Sequence, residues 1–252
     1  MGKNKKSSHH KKKNSLSKPE NKTEGWDIKS KLQKIKKFIW DDDSLLSWIV
    51  NIFLAFILVY FIIYPGLGLV LGTSHPVVAV VSGSMEHKVT PVCDDYNSFS
   101  NICEEVGDSK YRLCDTYFDE RKHVDFEFFW ETCGDWYEDK DIKKEEFRDF
   151  PLSNGFNTGD IIVLRGFSAE DIEIGDVVVF YATKNFPIIH RVVEKEEQNG
   201  EYVFTTKGDH NKEVGPDDMD IKEEDIIGKA SLRIPYLGWV KLSVYKLLHM
   251  VI

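Results

Sequence analysis

The chain opens with a polar, lysine-rich stretch and then carries one long run without a charged residue. Leu45 to Ile63 contains 19 such residues. At a rise of about 1.5 Å per residue, a helix of this length spans the hydrocarbon core of a bilayer. Aromatic side chains that suit the two membrane interfaces flank it: Trp40, Trp48, Tyr60 and Tyr64. We expect Pro65-Gly66 to end the helix, and the pattern predicts a retained transmembrane anchor at 45–64.

Downstream of this helix, short runs rich in β-branched residues predict strands. The runs are His75–Ser82, Asp160–Leu164, Asp176–Tyr181, Ile188–Glu194 and Glu201–Thr206. Gly-Asp turns precede two of them, and few windows have the periodicity of a helix. The pattern therefore predicts a mainly β core that is divided between residues 76–92 and 155–235.

The segment 93–150 interrupts the β pattern. It holds 18 acidic residues against 8 basic ones, 13 aromatic residues and all four cysteines: Cys93, Cys103, Cys114 and Cys133. The spacings lack any Cys-x-x-Cys pair, which favours disulfides over a zinc site, and three pairings are open. We predict an inserted subdomain at 93–150, with an exposed, charge-rich helix at Asp139–Phe150.

Charge is distributed unevenly between the two sides of the predicted anchor. Residues 1–37 carry 13 lysines against 3 acids, which predicts a cytoplasmic tail and juxtamembrane segment at 1–44. A nucleic-acid role for this tail is the less favoured alternative. At the other end, residues 236–252 are apolar with isolated basic positions, which predicts an interfacial helix or packing onto the core. Everything beyond Pro65 is then expected on the outer face of the membrane.

Three candidate chemical groups fall on the predicted strands and turns. Ser84 lies in VVSGSMEH, where Gly83 allows a tight turn that presents a hydroxyl beside a backbone N–H. His190 lies inside the strand IIHRVVE, on the same face as Ile188 and Val192, and could act as a general base. Acids follow in TKGDHNKEVGPDDMD. Each signal alone is weak, since turn serines, core histidines and acidic loops are usually structural.

Together, and in this order, the segments VVSGSM, NTGDIIVL, IGDVVVFY, IIHRVVE, TKGDHN and GKASLRIPYLGWV resemble type I signal peptidases, in particular their archaeal and endoplasmic reticulum branch. The resemblance covers the anchor, residues 76–92 and residues 155–238. It implies a β-barrel or sandwich catalytic core with an N-terminal transmembrane helix, and the cysteine-containing insertion departs from the common core.

The resemblance also implies residue roles. The serine before methionine, here Ser84, is the nucleophile, and His190 occupies the strand position of the base. Asp209 is the first acid of the family motif. The second acid normally follows six residues later, where this chain has Gly215, so a two-residue insertion moves the role to Asp217, with Asp218 as the alternative. Ser82 supports the oxyanion together with the backbone at Gly83 and Ser84. Many relatives carry proline at the position of His87.

The function implied is a membrane-bound serine endopeptidase that removes signal peptides from secretory preproteins, without a cofactor or metal. Its partners would be preproteins, the lipid bilayer and a nearby protein-export channel, and no nucleic acid. We expect a single-pass cell-membrane protein, with an archaeal owner favoured over the endoplasmic reticulum because the insertion is large. One alternative is a self-cleaving repressor-type protease, but the anchor and His190 argue against it. Another is a non-catalytic membrane-anchored binding protein that uses the insertion.

Overall fold

A computed structural model describes residues 28–42, 44–97, 102–182, 186–239 and 243. Side chains are described from residue 30 onward, apart from 93–97 and 102–109. Most of the predicted basic tail and most of the segment 236–252 therefore lie outside the described residues. The chain divides into two compact units, residues 1–57 and residues 58–252.

The first unit contains helix α1 (Ile28–Trp40) and most of helix α2 (Leu45–Leu58). Two polar side chains of α2 are bound to the last turn of α1. Ser47 Oγ donates to the carbonyl of Phe38 at 2.5 Å, and Asn51 Nδ2 donates to that of Ile39 at 2.8 Å. They thereby occupy carbonyls that a helix leaves unpaired at its C-terminus.

An apolar helix long enough to cross a membrane is confirmed near the N-terminus, and it extends from Leu45 to Leu71. The prediction that Pro65-Gly66 ends it is wrong. Residues Val59–Ile63 form a π-helical turn in which Tyr64 N–H donates to Val59 O, and α3 (Tyr64–Leu71) follows with Pro65 in its first turn. Proline lacks an N–H and is tolerated there because the π turn has already interrupted the regular ladder. The helix ends at Gly72, whose φ of 67° favours glycine.

One seven-stranded antiparallel sheet forms the core, with strand order β1-β5-β10-β6-β7-β8-β9. Its strands are β1 (Val77–Ala79), β5 (Ile161–Arg165), β6 (Val177–Phe180), β7 (Ile188–Gln198), β8 (Glu201–Lys207), β9 (Ile221–Lys222) and β10 (Ile226–Ile234). The prediction of a mainly β core is confirmed, with all five predicted strands present. Apolar side chains cover both faces of the sheet, in one cluster around Ile162 and Val177 and in another around Phe180 and Phe204.

A second, three-stranded sheet lies in the insertion and consists of β2 (Thr90–Asn97), β3 (Ile102–Leu113) and β4 (Thr116–Phe118). Helices α4 (Phe126–Glu138) and α5 (Lys144–Asp149) follow it. The sequence analysis placed one exposed helix at Asp139–Phe150. The structure instead has the short α5 there, with Phe147 fully buried, and a longer helix before it. The insertion packs against the rest of its unit, because its aromatic residues share one buried cluster with Val89 and Val193.

Candidate active site

Ser84 lies in the turn that follows β1, and buried neighbours fix this turn. Met85, the next residue, is 1% exposed and belongs to the main core cluster. The carbonyl of Ser84 accepts from the backbone N–H of His210 at 2.8 Å, and that of Met85 accepts from Phe156 at 3.0 Å. The half-buried Ser84 side chain is thus presented by a turn that is hydrogen-bonded on both sides.

A carboxylate that the sequence analysis missed supports the same turn. Glu86 is 3% exposed, and its Oε1 accepts from the backbone N–H of Thr158 at 2.7 Å. Its own N–H donates to Gly83 O at 3.0 Å. Glu86 therefore connects the serine turn to the loop before β5. A single acidic residue after Ser-Gly-Ser-Met carries no signal of burial, so only the fold reveals this contact.

His190 lies near the start of β7, opposite Val178 of β6, and is 6% exposed. Its Nδ1 forms a hydrogen bond with Oδ1 of Asp218. Asp218 also accepts from Thr206 Oγ1 at 2.7 Å and from the backbone N–H of Gly215 at 3.1 Å. The sequence analysis favoured Asp217 for this position and kept Asp218 as the alternative. The structure places Asp218 against the imidazole, because the short 3-10 turn Pro216–Asp218 buries the last of the three side chains.

Asp218 is held in its ionised form. Burial on its own would raise the pKa of this carboxyl. The hydrogen bond and the charge interaction with His190, together with the hydrogen bonds from Thr206 and Gly215, outweigh burial and bring the pKa below its ordinary value. An ionised Asp218 can orient the ring and stabilise positive charge on it.

Gly208 is the point at which the serine turn and the histidine meet. A Cβ atom at this glycine would lie 2.8 Å from Ser84 O and 2.9 Å from Nε2 of His190. The side chain of any other residue would therefore collide with both groups. Because Gly208 has no side chain, the backbone of Ser84 and Nε2 of His190 can approach each other at this position.

A second hydroxyl lies beside Ser84. Ser82 Oγ is 3.3 Å from Ser84 Oγ and forms a hydrogen bond with it. Ser82 is half-buried, so its hydroxyl is partly accessible to solvent. A hydroxyl at this position can donate to negative charge that develops beside Ser84.

Asp209 occupies a fully buried position one residue beyond Gly208. Arg191 binds it with two hydrogen bonds, of 2.9 Å from Nε and 2.7 Å from a terminal nitrogen. Tyr137 Oη donates to it at 3.1 Å, and Nε2 of His87 lies 2.9 Å from its other oxygen. Burial would raise the pKa of this carboxyl, but the charge and hydrogen bonds of Arg191 and His87 hold it far below its ordinary value. In the described part of the chain, the hydrogen bonds of the Asp209 carboxylate go to Arg191, Tyr137 and His87 and not to His190.

The insertion carries a disulfide between Cys114 and Cys133, with a Cα–Cα distance of 5.6 Å. The side chains of Cys93 and Cys103 lie outside the described residues, so a bond between them remains a prediction. Within the described ranges, no group of three or more His, Cys, Asp or Glu is arranged to hold a metal ion. Ser84, His190 and Asp218 bring a hydroxyl, an imidazole and a carboxylate into one region of the fold, and these are groups that covalent acyl transfer can use.

No family model matches the chain. Several curated proteins are similar to part of it in sequence. The human protein "Signal peptidase complex catalytic subunit SEC11C" is 35% identical over 101 residues, which are 36% of this chain and 51% of the human one. SEC11 catalytic subunits from Colletotrichum graminicola and Eremothecium gossypii are 36% and 34% identical, over 36% and 37% of this chain and 57% and 60% of their own length. The chain thus spans little more than half the length of the curated relatives it matches.

The fold and the site define a mainly β protein with an apolar N-terminal helix and a serine, a histidine and an aspartate brought together. The similarities confirm the resemblance to type I signal peptidases, in the branch to which the SEC11 catalytic subunits belong.

Proposed function

We propose that this chain is a membrane-anchored serine endopeptidase that removes signal peptides from secretory preproteins. One observation carries the proposal: Asp218 is hydrogen-bonded to Nδ1 of His190, while Nε2 of the same ring and the backbone of Ser84 both lie next to Gly208. Similarity to signal peptidase catalytic subunits supports the same chemistry. The buried hydrogen bonds between Arg191 and Asp209 fix the residue next to Gly208, and so help to hold the turn at which Ser84 and His190 meet.

The geometry supports acyl transfer through a covalent intermediate. Ser84 Oγ attacks the scissile carbonyl as Nε2 of His190 takes its proton, and Asp218 stabilises the resulting imidazolium. The histidine then gives this proton to the leaving amine, and a water molecule, activated by the same ring, hydrolyses the acyl-enzyme. The Ser84 N–H and the Ser82 hydroxyl are the donors to the oxyanion.

The edge of the main sheet offers a site for an extended substrate. Strand β1 is terminal in the strand order and pairs with β5 along one side. A peptide that pairs with the other side of β1 would pass directly toward Ser82 and Ser84, which follow this strand. Backbone hydrogen bonds would supply affinity, and small side chains before the cleaved bond would fit beside the turn.

The helix Leu45–Leu71 would hold this site where signal helices emerge from the bilayer. The lysine excess before it predicts a cytoplasmic N-terminus and a catalytic domain on the outer face, in a single-pass cell-membrane protein near the export channel. Protease accessibility of the two sides in sealed, oriented vesicles tests this topology. In sealed right-side-out vesicles, added protease should digest the part of residues 58–252 that follows the helix. Digestion of that part only after the vesicles are lysed would contradict the topology.

The cleavage reaction is tested with the full chain in detergent or proteoliposomes and a preprotein whose signal peptide ends in Ala-x-Ala. We expect the wild type to cleave after that motif, and Ser84→Ala and His190→Ala to lower kcat/KM by about 10⁴-fold or more. Ser231→Ala and His123→Ala are matched controls at exposed positions and are expected to retain full activity. A fully active Ser84→Ala protein would remove the nucleophile, and tight substrate binding without cleavage by the wild type would favour a binding protein instead.

A further inference from the structure

We propose that Tyr137 of the insertion is a positioning residue for peptide cleavage, which acts through Asp209 on the turn that carries Gly208. The proposal rests on the proposed function and adds to it a role for the inserted subdomain. Through this residue, a segment outside the common core of the family would set the geometry between Ser84 and His190. Four contacts of the described residues lead to this inference.

The first contact is the hydroxyl of Tyr137 itself. Helix α4 is capped by Asp125, whose carboxylate accepts from the N–H of Phe128. Its buried residues recur at helical spacing and end with Tyr137, which is fully buried. Tyr137 Oη donates to Asp209 Oδ1 at 3.1 Å across 72 residues of sequence. A buried tyrosine hydroxyl needs a partner, and here that partner is the acid next to Gly208.

The second contact involves the residue before Gly208. The ammonium of Lys207 lies 5.0 Å from the ring centroid of Trp136 and 4.6 Å from that of Tyr137. It also donates to Gly208 O at 3.2 Å. Two consecutive residues at the end of α4 therefore cover both Lys207 and Asp209, the two neighbours of Gly208 in the chain.

The third contact joins α4 to His210 through a disulfide and a backbone hydrogen bond. Cys133 of α4 is joined to Cys114 by a disulfide, and the backbone N–H of Cys114 donates to His210 O at 3.2 Å. His210 in turn donates its N–H to Ser84 O at 2.8 Å. The insertion thus holds the turn at Lys207, Asp209 and His210, and this turn is directly bound to the nucleophile's residue.

The fourth contact reaches the serine turn from its other side. The ring of His87 stacks on Phe129 of α4, with centroids 3.6 Å apart and planes 7° from parallel. Nε2 of the same histidine lies 2.9 Å from Asp209 Oδ2. His87 follows Ser84 by three residues, so α4 binds both segments whose meeting brings Ser84 to His190. A shift of α4 would change their separation, and displacements near 1 Å can cost about 10²-fold in rate.

The test uses Tyr137→Phe in the full chain, with kcat, KM and the melting temperature measured on the same preparation. Loss of the hydroxyl removes its hydrogen bond to Asp209 and the long one, of 3.5 Å, that it accepts from Lys207 Nζ, but it leaves the aromatic ring packed beside Lys207. At an assay temperature well below the melting temperature, we expect kcat to fall about 10-fold or more while KM stays within about twofold of wild type. Covalent labelling of Ser84 by a fluorophosphonate should slow in parallel. Tyr111→Phe, at a half-buried tyrosine of the same subdomain, is the matched control and should match wild type.

A second variant, Trp136→Leu, removes one ring from Lys207 at a half-buried site and is expected to lower kcat several-fold at unchanged KM. Wild-type kcat in Tyr137→Phe would overturn the proposal, whatever the result for Trp136→Leu. So would a loss of activity that only follows the fraction of unfolded protein. If the wild type itself does not cleave the preprotein, the proposed function fails, whereas a fully active Tyr137→Phe protein refutes the positioning role alone.

Discussion

Nδ1 of His190 is hydrogen-bonded to Oδ1 of Asp218, and both side chains are almost completely buried. Since an ionised carboxylate only accepts, Nδ1 carries a proton, and in the neutral ring the lone pair is therefore on Nε2. Nε2 is also the ring nitrogen that lies next to Gly208, at the position that Ser84 O approaches as well. The pair therefore presets the tautomer that a base needs before any substrate is bound.

The first prediction separates the two neighbouring acids. Asp218→Asn removes the charge and disturbs the tautomer of His190, so we expect kcat to fall about 10⁴-fold at similar KM. Asp217→Asn changes a neighbouring acid of the same turn and should cost less than tenfold. Both are measured as initial rates of preprotein cleavage. The reverse order of effects would return the role to Asp217.

The second prediction concerns the hydroxyl at Ser82, which lies 3.3 Å from the Ser84 hydroxyl. If it donates to the oxyanion, Ser82→Ala should lower kcat by about 10²- to 10³-fold and leave KM nearly unchanged, because the interaction strengthens only in the transition state. Ser82→Thr keeps the hydroxyl and serves as the control, with activity within about tenfold of wild type. Full activity of the alanine variant would exclude this role.

The third prediction is about stability and concerns the ion pair inside the core. Arg191 and Asp209 are both fully buried, and Asp209→Asn would leave the guanidinium without its counter-charge. We expect a loss of about 3–5 kcal/mol in the free energy of unfolding, measured with urea in detergent. Asp135→Asn, at an exposed position of α4, should change it by less than about 0.5 kcal/mol.

The same pair predicts a pH effect. The pKa of Asp209 is held far below its ordinary value, so the unfolded chain binds more protons than the folded one in acid. The stabilisation is present above the ordinary carboxyl pKa and is lost as pH falls below it. The difference in unfolding free energy between wild type and Asp209→Asn should therefore shrink toward acid pH. A difference that stays constant from neutral pH to about pH 3 would contradict this account.

The strands could be predicted from the sequence because their signals are local, whereas Ser84 and His190 became candidates only through the family resemblance of the segments around them. Alternation along β7 placed Ile188 and Val192 on one face and Ile189 on the other, and the structure packs them in different clusters. The choice between Asp217 and Asp218 was not local. It depends on the backbone of a three-residue 3-10 turn and on Gly215, whose N–H binds Asp218.

The surroundings of Asp209 also lay beyond sequence reasoning. Its partner Tyr137 is 72 residues away and belongs to a segment without counterpart in the common core. The aromatic content of the insertion predicted a packed subdomain, but no periodicity indicates which core residue a given ring will contact. Pairings of this kind follow from the tertiary fold, in which one disulfide and one aromatic cluster set the position of α4.

The last prediction concerns Lys207, a buried cation that the proposed chemistry does not use. Desolvation lowers its pKa from 10.5 to about 8, although Asp209 and Asp218 act in the opposite direction. Between about pH 8 and pH 10.5, Lys207 is protonated in the unfolded chain but deprotonated in the folded one, so the free energy of unfolding rises with pH. Below about pH 8 both states are protonated and this contribution is constant. Relative to Lys207→Met, the unfolding free energy of the wild type should therefore rise by about 2–3 kcal/mol between about pH 7 and about pH 10. Lys212→Met, at an exposed lysine, is the control and should give a curve parallel to that of the wild type. Parallel curves for all three proteins would show that Lys207 keeps its ordinary pKa and is better solvated than its buried position indicates.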